Sequence, residues 1–165
     1  MIKKIKIMIN IIIVSLLIGL LHPAVAAKKN SKFSSDSANK KYILDSINNY
    51  RVKRGLRPLK MNSLISDEAK KHSADMARHS VPFGHKNFDK RIKRLYSKIQ
   101  PAQGGAENVA YAYRDVTVVV KGWLKSPGHH RNIVGNYNLT GIGIVRDKQG
   151  KPYYTQIFLR SDKKR

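Results

Sequence analysis

The sequence predicts an α+β domain, with helices packed on an antiparallel sheet. Two observations carry this. Apolar residues recur at helical spacing through the first two-thirds of the chain. The closing stretch, "LTGIGIVRDKQGKPYYTQIFLR", instead alternates with a period of two around a turn. No internal repeat interrupts that order.

The elements follow in turn. Lys3, Lys4 and Lys6 precede an apolar run from Ile11 to Leu21, and Ala24-Val25-Ala26 forms a small-x-small site. This pattern predicts a secretory signal peptide over residues 1–26. An uncleaved anchor is the alternative, since only Asn10 and Ser15 interrupt the apolar run between Ile7 and Leu21. Residues 27–38 are polar and aperiodic and read as a flexible leader. The domain is expected over 39–161, with a basic tail at 162–165. Removal of the signal leaves 139 residues, enough for one domain with a core of its own. The chain has no cysteine, so an exported product relies on that core without cross-links.

Ile43, Leu44, Ile47, Tyr50 and Arg51 share one face of a first helix that stops near Gly55. Ile65, Ala69, His72, Met76 and His79 form the stripe of a second, capped by Asn62 or Ser63. "NFDKRIKRLYSK" gives a short third helix, and "QPAQGGAENVAYAYR" a loop running into an extended segment. Val116, Val119, Val120 and Trp123 mark a fourth helix behind an Asp115 cap, ended by "SPG". Residues 147–150 then turn a hairpin.

The formal net charge is +23, and +20 once the signal with its three lysines is gone. Such an excess favours anionic partners: lipid headgroups, cell-wall polymers or acidic glycans. It also serves plain solubility. No nucleic-acid motif and no interleaving of aromatic with basic residues is present, so a specific nucleic-acid partner is not expected.

Five histidines follow the signal. His72 and His79 lie on a helical stripe and read as hydrogen-bonded, partly buried side chains. His85 sits in a loop after Gly84, either in a cleft wall or simply exposed. Glu107 is one of only ten acids against 33 bases. It reads as a general base or metal ligand, or else as a salt-bridge partner. His129 is expected on a turn just after the fourth helix, with His130 pointing elsewhere to join Arg131 on a basic surface. Ser126, His129 and Glu107 are the residue types of a hydrolytic triad, but there is no GxSxG elbow and the spacing gives poor geometry.

"FGHKNFDKRI", "GGAENVAYAY", "VVKGWLKSPGHHRNIV", "NLTGIGIV" and "YYTQIF" together resemble, in order, the motifs of bacterial CAP (SCP-like) proteins. The resemblance spans about residues 40–160 and implies an α-β-α sandwich, a small antiparallel sheet between helix layers with a cleft across it. The eukaryotic branch holds two histidines and two glutamates in that cleft and can bind a divalent ion there. By that resemblance His85 and Glu107 match one half of the set, while Ser126 and Tyr153 stand where the other glutamate and histidine would be. The binding cleft is thus expected from His85, Glu107, Ser126, His129 and Tyr153. His129 is expected to reach into it from the helix end, so that His85, Glu107 and His129 form one polar cluster. No cofactor is assured. That trio would hold a divalent metal such as zinc, or form a hydrogen-bonded knot without one, which is preferred because missing ligands weaken a site.

Family resemblance and charge together predict a secreted, monomeric binding module for lipid or an anionic cell-envelope or host surface. One alternative is a metal-assisted or His/Glu-dependent hydrolase, with His85, Glu107 and His129 as the catalytic candidates. Another is a structural or host-directed effector with a vestigial cleft.

Overall fold

A computed structural model describes residues 35–161. The expected signal peptide, most of the leader and the basic tail lie outside them. The element order is α1 (Asp36–Val52), β1 (Lys60–Met61), α2 (Ser63–Ala77), α3 (Phe88–Lys98), β2 (Gly105–Tyr111), α4 (Val116–Lys125), α5 (Pro127–Ile133), β3 (Leu139–Arg146) and β4 (Pro152–Leu159).

Helix α1 starts three residues before the expected domain boundary at Asn39. The Ser35 hydroxyl accepts from Ala38 N and caps the first turn, and Asp36 suits the positive helix end. Asn62 caps α2 and Asp115 caps α4, each through its side chain. The sheet order is β1-β3-β4-β2. All pairings are antiparallel except at the edge, where the two-residue β1 runs parallel to β3. That strand is too short to display a periodicity, so the sequence does not reveal it.

Both faces of the sheet are covered, so every residue of β4 is buried. On one face Ile157 and Leu159 pack with Ile65 and Ala69 of α2 and with Ile92 and Leu95 of α3. On the other, Tyr154 and Phe158 meet Ile43 and Ile47 of α1, Trp123 of α4 and Ile133 of α5. This is the α-β-α sandwich. Helix α2 lies almost on the backbone of β3: a Cβ on Gly143 would overlap the carbonyl carbon of Ala69. Only a glycine admits that approach.

Arg51 fixes the second helix layer. Its guanidinium is buried and donates to the carbonyls of Arg57, Ile133, Gly135 and Tyr137, tying the end of α1 to the connection between α5 and β3.

The sequence predicts that "SPG" ends the fourth helix and leaves His129 on a turn. Ser126 does end α4, in extended backbone, but Pro127 opens a new helix. Proline is well placed at a first helical position, where its missing N–H has no partner to lose. His129 and His130 therefore lie within α5. His79 also departs from expectation: it falls past the end of α2 with φ +57°, exposed and edge-on to Tyr153.

Candidate functional site

Strand β2 carries Glu107 into the space between α2 and α3, where the side chain is 1% exposed. A buried carboxylate needs partners, and this one has three. Arg91 of α3 grips both oxygens, Nε donating to Oε2 at 2.9 Å and Nη2 to Oε1 at 2.7 Å. His85 Nδ1 stands 2.9 Å from Oε1. His72 Nε2 of α2 is 3.7 Å away, while the same nitrogen pairs with the Gly84 carbonyl at 2.8 Å. Burial pushes the Glu107 carboxyl up, but the hydrogen bonds from His85 and Arg91 outweigh it and hold it below the usual carboxylate range. Burial likewise depresses His72, against the pull of Glu107, and keeps it neutral.

The loop bearing His85 is pinned around that residue. His72 holds the Gly84 carbonyl, Arg91 Nη1 donates to the Lys86 carbonyl, and Phe88 N donates to the His85 carbonyl. The side chain of His85 is nevertheless 52% exposed. A rigid, buried charge pair thus presents an accessible imidazole.

His129 stands apart from this knot. It lines a groove of about 390 Å³ between β2 and α4, with Phe83, Tyr111, Tyr113, Val118, Trp123 and Ser126 among its walls. The His129 ring lies 6.2 Å from that of Trp123. Burial first, then nearby His85, lowers its proton affinity. Its Nδ1 is buried without a hydrogen-bond partner. His130 does point elsewhere, but to the Tyr50 hydroxyl of α1 at 2.9 Å and not to a basic surface beside Arg131. The two histidines of "SPGHHRNI" divide between the groove and the helix layer.

The outer edge of β2 is closed by the same helices. Trp123 Nε1 donates to the Val109 carbonyl, Asn132 Nδ2 to the Glu107 carbonyl, and Asn108 Nδ2 to the His129 carbonyl. These bonds fix the groove wall to the strand that carries Glu107.

The expected site is therefore brought together in part. His85 and Glu107 touch, and Ser126 and His129 share the groove. Tyr153 is buried beside Met76 and Val109, and its ring packs on that of the groove residue Tyr111, with centroids 5.3 Å apart. The expected metal trio of His85, Glu107 and His129 is not assembled. Among the described residues no group of three His, Cys, Asp or Glu side chains is placed to hold a metal ion. The donor chemistry also argues against one, because a guanidinium already neutralises both carboxylate oxygens of Glu107. Sequence reasoning misses Arg91, whereas His72 is buried and hydrogen-bonded as its place on the stripe implies. A signal for Arg91 exists: Phe88, Ile92 and Leu95 define the buried stripe of α3, and Arg91 lies on it.

No helix among the described residues is long and apolar enough to cross a membrane. The chain is 35% identical over 139 residues to YlbC, an uncharacterized membrane protein of Bacillus subtilis, covering 83% of this chain and 38% of that one. An extracellular SCP-domain protein of Bacillus anthracis superposes with a TM-score of 0.63 at 28% identity, over 76% of this chain and 41% of its own. An outer surface protein of Borrelia burgdorferi shares the fold, with a TM-score of 0.69 at 18% identity, over 78% of this chain and 97% of its own. The chain thus spans well under two-thirds of the Bacillus subtilis relative. The cysteine-rich secretory protein pattern (CAP) matches residues 44–158. With its sandwich, its groove and its buried glutamate now placed, this cysteine-free chain belongs to the cysteine-rich secretory protein (CAP) family.

Proposed function

We propose that this domain is an extracellular binding module that takes the apolar part of an anionic amphiphile into the groove between β2 and α4. One observation carries the reading. Phe83, Tyr111, Tyr113 and Val118 are 44–50% exposed and all line one groove. Half-exposed aromatic side chains gathered around a concavity favour an apolar occupant over bulk water. The volume lies at the lower end of the usual range for ligand sites. The net charge of +20 that remains without the signal supplies long-range attraction to an anionic headgroup or envelope polymer.

Trp123 is the chain's sole tryptophan and lines this groove, so it reports occupancy directly. Anionic phospholipid vesicles are expected to change its emission at low salt, and the apparent affinity to fall several-fold at high salt. Phe83→Asp and Tyr113→Asp, both at half-exposed positions, should weaken the response with little loss of fold. Equal emission with and without vesicles at low salt would sink the reading.

A further inference from the structure

We propose that the groove receives an extended acidic peptide, which adds as a further strand to the open edge of β2. This rests on the groove being a ligand site, as read above, and names the amphiphile that fills it. Apolar walls alone suit any apolar occupant, whereas an open strand edge selects one that carries amides at strand spacing.

Strand β2 ends the sheet on its side and pairs only with β4. Its backbone groups alternate in direction. Ala112 N donates to the carbonyl of Pro152, so the ladder places the backbone groups of Ala106, Asn108 and Ala110 toward β4 as well. The residues between them turn the other way, and the helices show where they point. The Glu107 carbonyl accepts from Asn132 of α5, and the Val109 carbonyl accepts from Trp123 of α4. Beyond those two contacts the covering stops. The Val109 N–H and both backbone groups of Tyr111 have no partner among the described residues. They face the side from which Trp123 reaches in, where the groove between β2 and α4 lies. A residue of an added antiparallel strand opposite Tyr111 would exchange two hydrogen bonds with it.

The walls suit a strand as well. Successive side chains of a strand fall on opposite faces of its sheet. Tyr111 lies on the face of Tyr153, and Phe83 packs against it with ring centroids 5.1 Å apart. Ala110 lies on the other face, with Tyr154, Val119 and Trp123. The open edge therefore has an apolar wall on each side, and alternate side chains of the added strand meet one wall or the other. No lining residue carries a carboxylate, an ammonium or a guanidinium, so the run against the edge is apolar. The charge lies beside it. Lys121 and Lys125 are exposed on α4, each three residues beyond the lining residues Val118 and Gly122. The acids of β2 and of the α4 cap are engaged, Glu107 by Arg91 and Asp115 by Thr117 N. Acidic residues flanking the apolar run complement these lysines and the excess of positive charge.

The test uses the full chain and an acetylated heptapeptide amide, a valine-leucine-valine run between two pairs of glutamates. At low salt the peptide is expected to change Trp123 emission and to slow hydrogen exchange at the Val109 and Tyr111 amides. High salt should weaken it several-fold. Methylating alternate peptide nitrogens, in two complementary sets, separates edge pairing from apolar contact. The set that faces β2 should lower affinity by ~10-fold or more, and the other set far less. Glutamine in place of the glutamates should also weaken binding. Equal affinity of the two methylated peptides, or unchanged exchange at Val109 and Tyr111, would overturn the pairing. A glutamine peptide that binds as well would overturn the acidic assignment. Anionic vesicles that change Trp123 emission while the peptide leaves it unaltered would overturn the inference and keep the binding reading. No response to either would remove both.

Discussion

Arg91→Met is expected to destabilise the domain by about 3–5 kcal/mol, because it leaves the Glu107 carboxylate buried and uncompensated. Met has nearly the length of the lost stem, so packing changes little and the charge dominates. The double variant Arg91→Met with Glu107→Met should recover much of the loss, since a well-packed apolar pair can match a buried ion pair. The pH dependence supplies an internal check. Glu107 has a folded-state pKa held below its unfolded value, which is ~4.3. Its stabilisation is therefore complete above that unfolded value and fades as pH falls through the folded one. The gap between wild type and Arg91→Met should be widest near neutral pH and should close in strong acid. Urea midpoints across that range measure it. A single variant as stable as wild type at pH 7 would mean that the pair does not hold the α3–β2 junction.

Arg51→Met should cost at least ~3 kcal/mol. Four backbone carbonyls lose their donor together, and two of them, Ile133 and Gly135, belong to the end of α5 and the turn beyond it. These carbonyl dipoles surround the buried guanidinium and compensate its charge. Backbone amides around residues 134–138 should exchange faster in the variant than those of α2, which lies across the sheet. Uniform acceleration over both layers would instead indicate that Arg51 acts only through global stability.

Much of this fold can be read from periodicity. The stripes of α1, α2 and α4 are visible because an amphipathic helix must bury one face, and the hairpin because β-rich runs flank a Gly-bearing turn. Arg51 and His72 lie on their stripes, although nothing in a single sequence says what a buried polar side chain will bind. The break at "SPG" misleads because proline ends one helix and begins another with equal ease. Only the cap geometry at Ser126 separates the two cases. Strand β1 is invisible, since two residues carry no pattern.

The site is legible in its residues but less so in its pairing. Glu107 draws attention as a rare acid entering an apolar segment, and a salt bridge is among its readings. The partner is Arg91, sixteen residues earlier in the chain and on another element. Local spacing cannot encode that meeting; the packing of α3 beside β2 creates it. Tyr153 matches a family histidine position, and the layers on both sides of the sheet bury it with the rest of β4, its ring against Tyr111.

The chemistry of this site depends on the Arg91–Glu107 pair forcing His85 to donate from Nδ1 and to present Nε2 as a lone pair. Nitrogen NMR of the imidazoles in the full chain reads that tautomer directly at a pH where the ring is neutral. The expected spectrum has His85 protonated at Nδ1, with Nε2 showing the shift of a bare, solvent-facing nitrogen. A proton on Nε2, or a rapid mixture of the two tautomers, would contradict the orientation on which the site depends.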